Sequence, residues 1–210
     1  MELVVSSDKP LILPLILEFF ENNKNIDFTV GNKNKVKKLE ALASYLFDWA
    51  LAMNALYWLN GKTGFVIYHL SNQKISFWKN LKLNLRLIFQ VLHFRLWKVL
   101  RRKNRILAQR NLQAKHQPYL YLYALGITKK VRGVMDPEYS PIIQVKHFLD
   151  HWIATKNIPV YVETVNPRNK RLYEFVGFSA YHQDHKPEEG FTTWLLKKDK
   201  VNTKNHHRAS

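Results

Sequence analysis

Two runs of β-forming residues enclose a helical one between Tyr119 and Thr164, and that order leaves few folds open. Tyr119 to Ile127 reads YLYLYALGI, rich in aromatic and β-branched residues and followed by a basic turn, so it is predicted as a strand. Ser140-Pro141 is a helix start, with Ser placed to cap and Pro at the first helical position. Ile142, Val145, Leu149, Trp152 and Ile153 then recur at helical spacing until Asn157 stops the run. Pro159 opens a second strand, PVYVET, where no ladder donor is needed; VNPRN follows as a loop and KRLYEFVGF as a helix. Two strands joined by a helix pair in parallel through a right-handed crossover.

The rest of the chain adds elements around this unit. ELVVS is a candidate edge strand, and Ser7 or Asp8 can cap a helix from about Leu11 to Asn23. NIDFTVGNKNK reads as a loop and Lys35 to about Asn54 as an amphipathic helix with Val36, Leu39, Leu42, Leu46, Phe47 and Ala50 on one face. ALYWLN and GFVIYHL form a predicted β-hairpin turning at Asn60-Gly61. From Phe77 to Gln117 apolar residues recur every three or four positions, giving one long basic amphipathic helix or two shorter ones. A last hairpin runs through SAYHQDH, KPEEG and FTTWLLKK. The order implies one mixed α/β sheet of about seven strands with helices on both faces, in a single domain over residues 1–198. The polar segment 199–210 is expected to be a disordered tail.

Charge narrows the partners. The net charge is +17, and no Asp or Glu occurs between Asp48 and Asp136. Such a field attracts anions: nucleotide phosphates, nucleic acid, an anionic membrane surface or an acidic substrate. Trp78, Phe89, Phe94 and Trp97 interleave with the cations of the Phe77–Gln117 segment, the pattern of a membrane-surface or nucleic-acid face; a helix packed on the sheet with its cations in water is the plainer reading. Cysteine is absent, which removes disulfides, thiolate metal sites and cysteine nucleophiles. The apolar N-terminus has Glu2 in place of a basic leader and is interrupted by Asp8, Pro10 and Pro14, so it is not expected to be a signal peptide. No membrane span is expected either, and the chain reads as cytoplasmic.

The run PVYVETVNPRNKRLYEFVGF resembles the signature end of the GNAT N-acetyltransferase superfamily: a strand ending in Glu-Thr, an Asn-containing turn, then Leu-Tyr-Glu and Gly-Phe. YLYALGI resembles the family's central strand, and KKVRG lies where its pyrophosphate loop begins. The resemblance implies a GNAT-like sheet, acetyl-coenzyme A (acetyl-CoA) as cofactor and acyl transfer to a primary amine of a small molecule. It places the cofactor on the backbone of Leu125, Gly126 and Ile127, on Arg132, Gly133 and Val134 in the pyrophosphate loop, and on the amides of Asn166 and Asn169. Gly126 also suits a bulge. Met135 and Pro137 fill the loop's two glycine positions, and Pro137 has no N–H to donate. The phosphates are then left to N–H groups near Tyr139 to Ile143, with charge from Lys129, Lys130 and Arg132. Tyr173 corresponds to the family's general acid, since a phenol can protonate a thiolate at neutral pH.

Glu163, at the end of the second strand, is the nearest candidate for a general base; its alternative role is to pair with an arginine, and a water chain would also serve. His147 and His151, four apart on a helix, have no third ligand in the pattern, so no metal is expected. Two other functions remain open from sequence: a non-catalytic acyl-CoA-binding protein, and a basic module for nucleic acid or a membrane surface. The positive field disfavours polyamines and Lys-rich tails as acceptors and favours a neutral or acid-bearing amine.

Overall fold

The computed structural model describes residues 1–131 and 140–199. Seven strands form one sheet in the order β1-β2-β3-β4-β5-β7-β6. They are β1 (Glu2–Leu3), β2 (Leu56–Trp58), β3 (Gly64–Leu70), β4 (Leu120–Ile127), β5 (Val160–Thr164), β6 (Ser179–Lys186) and β7 (Phe191–Lys198). All neighbours are antiparallel except β4 and β5, the parallel pair predicted from the crossover. The helix between them is α6 (Pro141–Lys156), and α7 (Pro167–Phe175) follows β5.

Helices cover both faces. On one, α1 (Lys9–Phe20) and α3 (Lys35–Ala52) bury Ile12, Ile16, Leu46, Phe47 and Ala50 against Leu56, Trp58, Phe65 and Ile67. The helix α5 (Leu96–Ala114) crosses the other half of that face. On the opposite face α6 and α7 pack Val145, Leu149, Ile153, Tyr173 and Val176 on Leu120, Leu122, Val160, Val162 and Leu196. Alternation along β4 and β5 sends neighbouring side chains to opposite covers.

Two local readings need correction. The stretch read as a loop holds α2 (Lys24–Val30): Asn23 is a cap whose side-chain oxygen accepts the Asn25 N–H at 3.1 Å, and Gly31, at φ 66°, is the stop. Phe28 and Val30 are buried by it. Val36, placed on the inner face of α3, is 70% exposed.

Of the two possibilities for the Phe77–Gln117 segment, the chain adopts the broken one. After α4 (Phe77–Leu87) it widens over Ile88–Leu92 and turns at His93, whose φ is 43°, before α5. Several of its cations are not simply solvated. Arg86 pairs with Asp48 at 2.7 Å, and Arg95 donates from Nε to the Phe28 carbonyl at 3.0 Å. Arg102 meets Glu189 at 3.2 Å and the Thr193 hydroxyl at 2.9 Å; Arg105 clasps both oxygens of Asp184 and pairs with Glu189. These pairs tie α5 to the β6–β7 hairpin. The aromatic residues lie outward: Phe77, Trp78, Phe89, Phe94 and Trp97 are between 68% and 102% exposed.

Candidate active site

The sheet opens at its centre. β4 and β5 pair only through Leu120↔Val160, Tyr121↔Tyr161 and Leu122↔Val162, although β4 continues to Ile127. On its other edge β4 follows β3 all the way, with one irregularity: Ile67 faces Ala124 while Tyr68 faces Leu122. The extra residue is Tyr123, so the bulge lies there and not at Gly126 as its glycine suggested. A bulge bends its strand, and here it sits where β4 leaves β5. Gly126 stays in register opposite Phe65, and a Cβ on it would meet the Phe65 ring at 2.3 Å. Its lack of a side chain is explained by that packing.

On the α6–α7 side, Tyr173 projects from α7 into the core. Its ring meets Phe178 edge-on at 5.5 Å and is 8% exposed. Burial pushes its phenol well above the ordinary range, so it holds its proton at neutral pH. Its placement follows from a tight link to β5. The Thr164 hydroxyl accepts the Asn166 N–H at 3.2 Å, the Asn166 side-chain oxygen accepts the Arg168 N–H at 2.9 Å, and Pro167 begins the helix. Asn166 therefore uses one lone pair of its side-chain carbonyl on capping and keeps its NH₂ for a ligand, while Asn169 is exposed. At the start of α6 the Ser140 side chain is fully buried, and its hydroxyl has no hydrogen-bond partner. Arg132, Gly133 and Val134 lie outside the described residues. Lys129 does not stand waiting for phosphate: its N–H donates to Glu18 and its ammonium pairs with Glu21 at 2.7 Å.

On the other side the end of β5 faces α5. Glu163 lies there with Tyr121, Tyr123, Tyr181 and the guanidinium of Arg110 close enough to interact electrostatically. The Arg110 guanidinium stacks 3.7 Å from the centre of the Tyr121 ring and 5.8 Å from that of Tyr119. Yet no ion pair joins Glu163 to Arg110: Glu163 Oε2, and Arg110 Nε and Nη1, are buried without hydrogen-bond partners. Burial raises the phenols of Tyr121 and Tyr123, keeping both neutral. Tyr123 is 45% exposed, packs on Trp49 at 5.0 Å and brings the cluster to the surface between α3 and α5. Arg110 was missed in sequence because it lies in a run of cations. A signal was there: Arg102, Ile106, Arg110 and Ala114 are four apart, and the other three are buried.

The remaining candidates lie elsewhere. His147 and His151 are both exposed on α6, and no group of three or more potential ligands occurs among the described residues. An open depression of about 380 Å³, lined by Met1, Tyr57, Tyr68, Gln144, His147 and Phe148, shares no residue with the β4–β5 opening. Among the described residues no helix is long and apolar enough to cross a membrane.

No protein-family model matches the chain, and no curated protein matches it by sequence. Solved structures do. A histone acetyltransferase HPA2 and related acetyltransferase from Corynebacterium glutamicum superposes with a TM-score of 0.62 at 15% identity, covering 94% of each chain. Arylalkylamine N-acetyltransferase 2 from Aedes aegypti gives 0.60 at 11% identity over 94% of this chain and 97% of its own. An N-acetyltransferase from Staphylococcus aureus Mu50 gives 0.50 at 13% identity over 93% and 98%. The chain has the fold of the GNAT acetyltransferases.

Proposed function

We propose, from the GNAT fold of this chain, that it is a cytoplasmic N-acetyltransferase, formed as one domain over residues 1–198, which moves an acetyl group from acetyl-CoA to the primary amine of a small molecule. The observation that carries this reading is the buried, unpartnered Glu163 Oε2 beside the β4–β5 opening. A buried carboxylate oxygen without a donor costs about 1–3 kcal/mol or more, and such groups are rare unless a partner arrives. An incoming amine is a donor of the right kind.

The residues present fit the cofactor in two respects. The opening between β4 and β5 leaves the Leu125–Ile127 stretch beyond the reach of β5, and the buried Ser140 hydroxyl stands unpartnered at the first turn of α6, where helix N–H groups attract phosphate. Asn166, Asn169, Arg132, Gly133 and Val134 complete the set that would hold it. Acetyl-CoA, when bound, supplies the acetyl thioester. Glu163 would accept a proton from the attacking amine at Oε2. Tyr173 would hold a proton at its hydroxyl for the departing thiolate. Backbone N–H groups on the free edge of the Leu125–Ile127 stretch would stabilise the carbonyl oxygen as its charge grows.

Calorimetric titration with acetyl-CoA followed by turnover on an amine panel tests this. Micromolar binding with turnover supports it, binding without turnover leaves a non-catalytic binder, and no binding refutes both.

A second reading concerns location. The outward Phe77, Trp78, Phe89, Phe94 and Trp97, set among the exposed Lys79, Lys82, Lys98, Arg101 and Lys103, suit an anionic membrane surface. Co-sedimentation with phosphatidylserine vesicles, lost in a Trp78→Ser/Trp97→Ser double variant, is the check.

A further inference from the structure

Among the described residues, six buried side-chain nitrogen and oxygen atoms lack a hydrogen-bond partner, and four belong to one cluster: Arg110 Nε and Nη1, Tyr161 OH and Glu163 Oε2. The cluster is physically continuous. Arg110 stacks on Tyr121 and Tyr119, Tyr119 packs on Tyr161 at 4.9 Å, and Glu163 interacts with both Arg110 and Tyr121. Buried polar groups in native proteins are almost always satisfied, so a concentration of orphans marks a place where something binds.

The charges say what. A guanidinium and a carboxylate lie close enough to interact, each with buried polar atoms left without a hydrogen-bond partner, and no ion pair joins them. Two such groups kept apart are complementary to a molecule with the opposite charges, also kept apart. The planar guanidinium donates charge-assisted hydrogen bonds to a carboxylate. The Glu163 oxygen accepts from an ammonium. The neutral tyrosines supply apolar walls, and Tyr161 a further hydroxyl.

We infer that Arg110 and Glu163 form a binding site for a zwitterionic acceptor, an amine that also carries a carboxylate. The identity of its amine as the acetylated group rests on the acyl-transfer reading above, whereas the carboxylate site does not. Arg110 is a specificity residue in this scheme and takes no part in bond making.

The test uses matched pairs that differ only by the carboxylate: glycine against methylamine and phenylalanine against phenethylamine. Binding of each to the full chain is measured calorimetrically, without acetyl-CoA, for the parent protein and for Arg110→Met and Arg110→Lys. Met keeps much of the stem that packs on Tyr121 and removes the charge; Lys keeps the charge and removes the fork. The expected result is that at least one amino acid binds about 10- to 100-fold more tightly than its amine, the range of charge-assisted hydrogen bonds. Arg110→Met should bring the acid down to the level of the amine, with Arg110→Lys between them. The inference is overturned if neither acid is preferred, if nothing binds, or if the preference survives in Arg110→Met. Should Arg110→Met fail to fold, Arg110→Lys decides alone, a full parental preference counting against the site. The acetyl-CoA titration fails or succeeds independently, so loss of the acyl-transfer reading leaves Arg110-dependent amino-acid binding visible.

Discussion

Replacing Tyr173 by Phe removes one oxygen and little else. The ring keeps its place in the core and its edge-on contact with Phe178 at 5.5 Å. No side chain among the described residues hydrogen-bonds the lost hydroxyl, so stability should change by less than about 1 kcal/mol. Acetyl-CoA affinity should also stay within about threefold, since a hydroxyl that gives its proton only as the thiolate leaves contributes to the transition state and not to ground-state binding. Turnover is where the effect falls. General acid catalysis is worth about 10²–10⁴-fold, which is about 2.7–5.4 kcal/mol of barrier at 1.36 kcal/mol per decade. The assay is initial-rate acetylation with thiol detection, beside a thermal melt and a cofactor titration on the same preparation. A poorer leaving group needs the acid more, so the variant's deficit should shrink when a thioester of a more acidic thiol is used. A variant that turns over at the parental rate, or one whose loss tracks a fall in melting temperature, would refute the role assigned to Tyr173.

Glu163→Gln should lower turnover by about 10²-fold or more while leaving acetyl-CoA affinity unchanged, and raising the pH, which deprotonates the amine in solution, should recover part of the rate; no recovery would argue against proton acceptance at Oε2. Arg102→Ala strips Glu189, whose side chain is 5% exposed, of one of its two cations and Thr193 of its donor. Losing one partner of a buried pair costs about 3–5 kcal/mol, so with Arg105 remaining about 3 kcal/mol is expected, read as a melting point roughly 6–12 °C lower. Burial raises the phenols of Tyr68, Tyr121, Tyr123, Tyr173 and Tyr181, and pushes that of Tyr161 up to about 12. Each gives stability that is complete below the unfolded phenol's pKa near 10 and lost as pH rises toward the folded values. Denaturant midpoints should therefore be flat to about pH 10 and fall steeply toward pH 12, with tyrosinate absorbance appearing cooperatively with unfolding.

The crossover at the centre of the fold was legible because its periods are clean: alternation in YLYLYALGI, helical spacing from Ile142 to Ile153, and Pro or Asn at each boundary. Where one residue type serves two purposes, reading failed. Asn23 and Gly31 looked like loop punctuation and are the cap and stop of α2, a helix too short to show its period. Gly126 looked like a bulge and instead makes room for the Phe65 ring, information that resides in β3. Tyr173, proposed from the family resemblance, and Glu163, proposed from its position, lie within one contiguous stretch because α7 follows β5 through a short capped turn. Arg110 could not. Its partners Tyr119 and Tyr121 are near in sequence, but Glu163, Tyr161 and Tyr181 come from strands added later in the chain. Its neighbours in α5 carry the same charge to different ends: Arg102 and Arg105 bind the hairpin, while Arg101 is exposed.

The ties between α5 and the β6–β7 hairpin reach further than stability. Arg102 and Arg105 are clamped by Asp184, Glu189 and Thr193, and Arg110 lies on the same rod, about 7–12 Å further along at 1.5 Å per residue. The rod is braced at its middle, and its far end carries the guanidinium. A small rotation at the brace is therefore delivered to Arg110 as a sideways displacement over the tyrosines. Glu189 belongs to the short turn Pro187–Glu189 at the hairpin's tip, a place where insertions are otherwise well tolerated. In this chain such an insertion would also disturb α5, which the turn holds through Glu189, so a change at the surface would be felt where Arg110 lies.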